Sequence, residues 1–349
     1  MMFIWDEEWN ISFAGCGFRC IYHMGVLSCI LQHAPQLLHG ASKICGASSG
    51  CLVAAALTTG IPIEDVCVHL LSTAKEVRKH TLRVFHPSFS LLRTVQDFLL
   101  EKLPDDAHLR ASGKLCVSLT RVADGQNVLV SEFDSREDLI QVLMCSCFVP
   151  MYCGVIPPLY RGMQYVDGAL SNNMPLSEQR NTITVAPFSG ESDICPREGT
   201  FNFFEVHCGN VSIQVNTGNL HRMCTSFLPP APEKLAEICH NGYMDALRFV
   251  TERDLVERQC FTSMLVTDMD LTRRLASGPY AQHHHWMDQR HTENLPISIK
   301  KVLCEACMDS HDGGARWCRL TEVLPVKLLL CVLTVFTLPL KLIFLLLKR

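Results

Sequence analysis

The segment that most constrains the fold is a Gly-x-Ser-x-Gly core, Gly46-Ala47-Ser48-Ser49-Gly50, between a short apolar run and an Ala-rich helical pattern. This order predicts a strand, a sharp turn and a helix, the geometry that exposes a serine hydroxyl at the edge of a sheet. Gly46 can adopt backbone angles that a side chain would forbid, and Gly50 allows the strand and the helix to approach closely. Ser48 would begin the helix, where backbone N–H groups stabilise developing negative charge. The segment therefore predicts a nucleophilic serine.

The rest of the chain divides into three regions. Residues 1–255 alternate short apolar runs with helical patterns, which is typical of an α/β fold. Residues 256–320 are polar and irregular, and we predict a linker with one or two short helices. Residues 321–349 form a hydrophobic tail. Within the first region the strand candidates are residues 11–14, 42–45, 115–120 and 182–186, and the helix candidates are residues 23–38, 61–69 and 92–103.

The charge argues against a nucleic-acid-binding protein, and the cysteine content together with the N-terminal sequence argues against a secreted one. The formal net charge is −4 and basic residues do not cluster in the first 250 positions, so the electrostatic signature of nucleic-acid binding is missing. The 19 cysteines are an odd number, and the first ten residues are acidic rather than a basic and apolar secretion signal. We therefore expect no nucleic-acid partner and a cytoplasmic protein whose thiols mostly pack as small apolar groups.

The tail carries a nearly uninterrupted apolar run at residues 323–347. This run is long enough to cross a bilayer, for which about 20 residues are needed. However, Pro339 would break a helix midway, and Lys327, Lys341 and Lys348 are spaced by 14 and 7 residues, which places them near one helical face. These features favour helices that lie in a lipid interface, with a simple membrane anchor as the alternative.

A glycine-rich loop follows the first strand candidate. Gly15, Cys16 and Gly17 would direct successive backbone N–H groups at one point, which suits an oxyanion. A dinucleotide-binding loop begins in the same way, but the position of its third glycine holds Cys20, and no acidic residue follows the second strand candidate. We therefore interpret this loop as a set of oxyanion donors for Ser48.

The base that would activate Ser48 is less obvious, because the serine comes too early for the α/β-hydrolase order, in which a histidine comes late. Asp167 follows an apolar run and precedes Gly168 and an Asn173-x-Pro sequence, a pattern typical of a strand that ends in a tight turn. A buried aspartate there could accept the serine proton directly. The alternative is an ordinary hairpin turn with no catalytic role.

Together these motifs resemble the patatin-like phospholipases, and within them the branch of adipose triglyceride lipase and adiponutrin. The resemblance covers residues 9–255 without a large gap, and the tail is similar in a looser way. Besides the motifs around Gly15, Ser48 and Asp167, the supporting stretches are residues 9–18, 86–89, 118–122, 145–150 and 188–196.

The resemblance implies a three-layer α/β/α sandwich with a Ser-Asp dyad. Ser48 would be the nucleophile, Asp167 the base, and the N–H groups of Gly15, Cys16 and Gly17 the oxyanion hole. Water or another alcohol would resolve the acyl-enzyme. The implied activity is hydrolysis of neutral-lipid esters, above all triacylglycerol in lipid-droplet catabolism, with phospholipase or transacylase activity beside it. No metal or organic cofactor is implied. The implied setting is a lipid droplet or endoplasmic reticulum membrane, with the lipid substrate and an α/β-hydrolase-domain coactivator as partners.

Two positions depart from the family's pattern. The oxyanion motif of the family ends in glycine, and this chain has Cys20 there, which would strain the loop if the backbone needs a positive φ. That departure keeps an alternative open, a catalytically weak lipid-droplet protein that binds lipid or sequesters a lipase coactivator. Ser49 stands where the family usually has alanine, which we take as a small change.

Cysteines and histidines outside these motifs could suggest a metal site. Cys304 and Cys307, followed by His311 and Cys318, have a spacing that zinc sites use, but the same stretch also predicts a helix. His23, close after the glycine loop, we interpret as a structural histidine. We therefore predict no metal centre.

Overall fold

The computed structural model describes residues 8–79, 90–177, 181–197, 204–253, 255 and 295–308. The hydrophobic tail and most of the predicted linker lie outside these residues, as do the stretch at residues 86–89, His311 and Cys318. The predictions made for those segments stay predictions.

A mixed sheet of seven strands forms the centre of the described part of the chain. Its strands are β1 (Asn10–Phe13), β2 (Lys43–Gly46), β3 (Leu115–Arg121), β4 (Asn127–Val130), β5 (Leu159–Tyr160), β6 (Met163–Asp167) and β7 (Thr182–Val185). They lie in the order β5-β6-β3-β2-β1-β7, with β4 paired to β3 beside this path. The four strand predictions are confirmed to within one residue at each end, because buried parallel strands leave short apolar runs in the sequence.

Helices flank the strands in chain order. They are α1 (Ile21–His33), α2 (Gln36–His39), α3 (Ser49–Thr59), α4 (Ile63–Lys79), α5 (Leu91–Lys102), α6 (Ala107–Ala111), α7 (Arg136–Ser146), α8 (Thr217–Phe227), α9 (Pro232–Glu252) and α10 (Ile297–Met308). The α/β class is confirmed. The single helix predicted at residues 23–38 is wrong, because Pro35, which has no N–H to donate, separates α1 from α2.

The helix α10 lies inside the region predicted as a linker and packs against α4 and α9. Its apolar residues Ile299 and Leu303 are fully buried, and Cys307 follows on the same face. Apolar residues at this four-residue spacing form a stripe along a helix, which explains why the segment attaches to the core. Within the described part of the chain, no helix combines the length and the apolar character that crossing a bilayer requires.

The sheet topology brings three segments of the chain together. β1 and β2 are parallel, and Phe13 at the end of β1 lies opposite Gly46 at the end of β2. Gly46 also lies opposite Val117 of β3. β6 runs antiparallel to β3 on its other side, with Asp167 opposite Leu119. The loops after β1 and β2 therefore begin at the carboxyl ends of neighbouring parallel strands, which is where ligands bind in α/β sheets, and β6 ends close by on the other side of β3.

Candidate active site

Ser48 lies in the turn between β2 and α3, where the sequence predicts the nucleophile. It caps α3 with φ 52° and ψ −133°, an unusual conformation for a residue that has a side chain. A Cβ on Gly46 would lie 2.4 Å from the backbone of Gly50, and a Cβ on Gly50 would lie 2.3 Å from the carbonyl oxygen of Phe13. Gly50 thus has the close approach predicted for it. The prediction for Gly46 is wrong, because Gly46 has no positive φ and only the missing Cβ matters there.

Asp167 ends β6 and contacts Ser48. Its side chain is 3% exposed and accepts the N–H of Ala169 at 2.8 Å. Burial raises the pKa of Asp167 to about 6, although the nearby Ser48 hydroxyl and the Ala169 N–H act in the opposite direction. Gly168 then begins a 3₁₀ turn that packs against the peptide of Ser118. The two residues that the sequence analysis selected are therefore a hydroxyl and a buried carboxylate that interact within one site.

A third hydroxyl, which the sequence analysis did not select, holds the turn at Ser48 in place. Ser146, the last residue of α7, is buried. It accepts the N–H of Ser48 at 3.0 Å and donates to the carbonyl oxygen of Ser118 at 2.8 Å. This bridge ties the turn to β3. No local pattern predicts it, because its two partners lie 98 and 28 residues away in the chain.

The glycine loop after β1 lies against Ser48, since a Cβ on Gly15 would be 2.7 Å from the Cβ of Ser48. The side chain of Asn173 holds this loop through both backbone polar groups of Gly15. Its Oδ1 accepts the N–H of Gly15 at 2.6 Å, and its Nδ2 donates to the Gly15 carbonyl oxygen at 3.3 Å. Asn173, which the sequence analysis assigned only to a turn, is thus a clamp on the loop.

The other two amides of the loop differ from each other. The N–H of Cys16 donates to the Oγ of Ser49 at 2.9 Å. Gly17 adopts φ 53°, and its N–H has no acceptor among the described residues. Of the three donors that the sequence predicts for an oxyanion, two are therefore already hydrogen-bonded within the protein. Ser49, at the position where the family usually has alanine, contacts one of them directly.

Cys20 does not strain this loop. Its backbone has φ −49° and ψ −24°, an ordinary right-handed helical conformation, and its side chain is buried. The expectation of strain at Cys20 is wrong, because the chain is already helical at this residue, whereas the positive φ falls on Gly17.

His23 packs behind the same loop. Its Nε2 lies 2.9 Å from the carbonyl oxygen of Ala14 and 3.4 Å from the Sγ of Cys16. Burial lowers the pKa of His23 to about 4, against the smaller effect of the hydrogen bond to Ala14. The imidazole is therefore neutral at pH 7, and its contacts are those of a side chain that supports the loop.

An apolar cavity of about 390 Å³ contains both Ser48 and Asp167. Aliphatic and aromatic side chains from several helices line it, among them Leu70, Leu92, Val95, Phe98 and Phe227. Leu170, Cys208 and Met223 also line the cavity and are exposed, so they mark its opening. A cavity of this size with few polar groups suits an apolar ligand with one reacting polar centre.

A hairpin that the sequence analysis missed lies at this opening. It consists of β8 (Glu205–Cys208) and β9 (Val211–Gln214). One face of the hairpin is entirely apolar and carries Phe204, Val206, Cys208, Val211, Ile213 and Val215. Cys208 and Ile213 line the cavity, whereas Phe204 and Val206 are 77% and 55% exposed. The apolar lining of the cavity therefore continues onto the surface of the protein.

No group of three or more His, Cys, Asp or Glu side chains is placed to hold a metal ion in the part of the chain that the structure describes. Cys304 and Cys307 lie on α10 as reduced thiols, half-buried and buried respectively. Burial raises the pKa of both thiols, to about 12 at Cys307.

A sequence model of the family described as patatin-like phospholipase matches residues 11–178, which include the glycine loop, Ser48 and Asp167. Patatin-like phospholipase domain-containing protein 2 of Rattus norvegicus is 44% identical to this chain, over 97% of the chain and 70% of that protein. The chain belongs to the patatin-like phospholipase domain-containing family. Membership supports a lipid hydrolase or acyltransferase activity.

Other members of the family are similar over comparable lengths. The 1-acylglycerol-3-phosphate O-acyltransferase of Mus musculus is 36% identical over 96% of this chain and 81% of its own length. Patatin-like phospholipase domain-containing protein 5 of Homo sapiens is 36% identical over 99% of this chain and 83% of its own length. The crystal structure of VipD from Legionella pneumophila aligns over 93% of this chain and 90% of the VipD chain, with a TM-score of 0.37 and 11% identity. This similarity is too weak to support a conclusion about this chain.

Proposed function

We propose that this chain is a serine acyl hydrolase that cleaves ester bonds of neutral lipids, with triacylglycerol as the expected substrate, within a three-layer α/β/α domain. The observation that carries the proposal is that the Ser48 hydroxyl and a buried Asp167 carboxylate interact inside an apolar cavity. A carboxylate whose pKa is raised to about 6 by burial is still ionised at pH 7 and is more basic than an exposed one.

The reaction follows from the positions of these groups. Asp167 accepts the proton of the Ser48 hydroxyl while the Oγ attacks the ester carbonyl carbon. The carbonyl oxygen becomes an oxyanion, for which the adjacent loop offers the N–H of Gly17, a donor with no acceptor in the described part of the chain. The tetrahedral intermediate collapses, the alcohol leaves with the proton from Asp167, and an acyl group remains on Ser48. Water, deprotonated by Asp167, then attacks the acyl-enzyme and releases the fatty acid.

The apolar hairpin supports a lipid substrate over a soluble one. Its exposed residues Phe204, Val206 and Val215 lie on the same face as the cavity-lining Cys208 and Ile213. An apolar chain that moves from a lipid phase into the cavity can therefore keep apolar contacts along the way. Exposed apolar surface of this kind typically marks a site of interaction with protein or membrane.

A second activity, acyl transfer, shares the same acyl-enzyme. It requires only that an acceptor alcohol replaces water in the second half-reaction. The similarity to a mouse protein named as a 1-acylglycerol-3-phosphate O-acyltransferase favours keeping it as a candidate.

The test is a substrate panel with purified protein and its Ser48→Ala variant. We expect fatty-acid release from a triolein emulsion and less from phospholipid or retinyl ester, all of it lost in Ser48→Ala. Monoacylglycerol added as acceptor distinguishes transfer from hydrolysis. Equal release by the two proteins on every substrate would contradict the hydrolase and leave the weakly active lipid-binding protein as the better account.

We further propose that residues 323–349 attach the protein to lipid droplets or to the endoplasmic reticulum, where an α/β-hydrolase-domain protein acts as coactivator. The apolar run of the tail and its lysine spacing support the attachment. Deletion of residues 323–349 should release a fluorescent fusion from droplets while the hydrolysis of a soluble short-chain ester persists. Unchanged droplet targeting would assign the attachment to the catalytic domain instead.

A further inference from the structure

The hydroxyl of Ser49 lies next to the proposed nucleophile. Ser49 is the first residue of α3 and follows Ser48 directly. Its side chain is half-buried, lines the cavity, and accepts the N–H of Cys16 through Oγ at 2.9 Å. The Sγ of Cys16 lies 3.6 Å from the same oxygen. The Oγ of Ser49 thus already accepts one of the backbone N–H groups of the glycine loop.

An oxyanion stabilised by the N–H of Cys16 would have to lie where the Oγ of Ser49 now lies. Oxyanion-hole donors act over roughly 2.7–3.1 Å and along the direction of the N–H bond. The Oγ of Ser49 lies at that distance from the nitrogen of Cys16. One N–H proton cannot make two strong and nearly linear hydrogen bonds at once, so Ser49 and the oxyanion exclude each other at this donor.

We propose that Ser49 is a positioning residue that competes with the oxyanion for the N–H of Cys16, so that its hydroxyl must rotate away before this donor can act. The proposal rests on the proposed function, because it takes Ser48 as the nucleophile. Among the residues that the structure describes, the N–H of Gly17 then has no acceptor in the resting site, and the N–H of Cys16 becomes available only after Ser49 moves.

The neighbouring donor at Gly15 differs in a way that supports this assignment. Asn173 holds both the N–H and the carbonyl oxygen of Gly15, so neither bond can be released without losing the other. Ser49 contacts Cys16 through one atom, its Oγ, which accepts the N–H and lies 3.6 Å from the Sγ, so rotation about one side-chain bond breaks both contacts. Gly15 is therefore fixed to the scaffold, whereas Cys16 is held by a side chain that can leave.

The size of the effect follows from the hydrogen bond that must break. The net contribution of such a bond corresponds to a factor of about two to ten in an equilibrium constant. Removing the Ser49 hydroxyl should therefore raise kcat by about twofold to tenfold. The KM for a short ester should change little, because the ground-state carbonyl oxygen carries little of the charge that the freed N–H stabilises.

The experiment compares wild type with Ser49→Ala, Ser49→Gly and Ser49→Thr in the full-length chain. Alanine and glycine both remove the hydroxyl, whereas threonine keeps it. The probes are p-nitrophenyl butyrate for kcat and KM, an alkyl fluorophosphonate for the labelling rate of Ser48, and an alkyl trifluoromethyl ketone for the affinity of a tetrahedral adduct. Thermal unfolding confirms that each variant is folded.

We expect kcat, labelling rate and trifluoromethyl ketone affinity to rise together by about twofold to tenfold in Ser49→Ala, and not in Ser49→Thr. Ser49→Gly decides the matter if the alanine variant does not fold. A fall or no change in kcat on loss of the hydroxyl would overturn the proposal, as would an equal rise in Ser49→Thr. If neither wild type nor any Ser49 variant reacts faster with ester or fluorophosphonate than Ser48→Ala does, the proposed function fails instead.

Discussion

The two sides of Ser48 differ in how far they are prepared for acyl transfer. On one side the buried carboxylate of Asp167 is already close enough to the serine hydroxyl to interact with it. On the other side the glycine loop has its Gly15 and Cys16 amides bound to Asn173 and Ser49. Asp167 is held by its place at the end of a strand, whereas the donors depend on which side chains occupy them. The position of the proposed base is therefore set by the sheet, whereas the availability of the proposed oxyanion donors depends on a few side-chain contacts.

The largest effect should come from removing the base. Asp167→Asn keeps the shape of the side chain but cannot accept the serine proton, so we expect kcat to fall by about 10²–10⁴. Because burial raises the pKa of Asp167 to about 6 in the folded protein, its ionised form destabilises the fold above that pH. The variant should therefore unfold at a higher temperature than wild type at pH 8, and the difference should shrink as the pH falls through 6 towards the unfolded-state pKa.

A matched control for this variant is Asp245→Asn. Asp245 is also buried, and it accepts the Tyr22 hydroxyl at 2.7 Å and pairs with Arg248 outside the cavity. Its loss should change stability without changing kcat. If Asp167→Asn kept more than about a tenth of the wild-type kcat, Asp167 would not be the base, and the contrast between the two sides of Ser48 would fail.

The next largest effect should come from the clamp on the donor side. Asn173→Ala releases Gly15, so the loop loses the contact that keeps its donors facing Ser48. We expect kcat to fall by about tenfold to a hundredfold. This loss is smaller than the roughly hundredfold to thousandfold loss that follows when an oxyanion donor itself is removed. Asn172→Ala is the control, because Asn172 contacts Asn127 rather than the loop. Equal losses in the two variants would mean that the turn as a whole, and not the clamp, supports the site.

The same contrast explains what the sequence could predict. Ser48, Asp167 and the glycine loop lie at the ends of strands whose apolar runs are visible in the sequence, so their meeting follows from topology. The contacts of Ser146 and Ser49 were missed, because hydrogen bonds between distant segments leave no local pattern. Gly46 and Cys20 were misjudged because residue type alone does not determine which position of a loop has a positive φ.

One further miss had a signal that was overlooked. The hairpin alternates apolar and polar residues from Phe204 to Val215 around a Gly209-Asn210 turn, which is the pattern of a half-buried strand pair. The helix α10, by contrast, lies in the region for which one or two short helices were predicted. What the sequence analysis did not predict is that α10 packs against α4 and α9 through its buried apolar stripe.

A smaller effect should appear in the dependence of the rate on pH. Protonated Asp167 cannot accept a proton, so kcat should be constant above pH 7 and fall about tenfold per pH unit well below 6. Initial rates on a soluble ester between pH 4.5 and 8 would measure the midpoint. His23 should not contribute, since burial lowers its pKa to about 4. A midpoint near the ordinary aspartate value would mean that the carboxylate is solvated during turnover, which would weaken the contrast between the two sides.

The smallest effect should come from Cys20→Gly, which restores the residue that the family's motif has at this position. Because Cys20 has φ −49°, a glycine there relieves no strain, and kcat should change by less than about threefold. Stability should fall by roughly 1 kcal/mol or more in urea unfolding, since glycine is a poor helix former and the buried Sγ loses its contacts. A large rise in kcat would instead place the weakness of the donor side at Cys20 rather than at Ser49. The two variants therefore test separate explanations: Cys20→Gly acts through the backbone of the loop, whereas Ser49→Ala acts through one hydrogen bond to it.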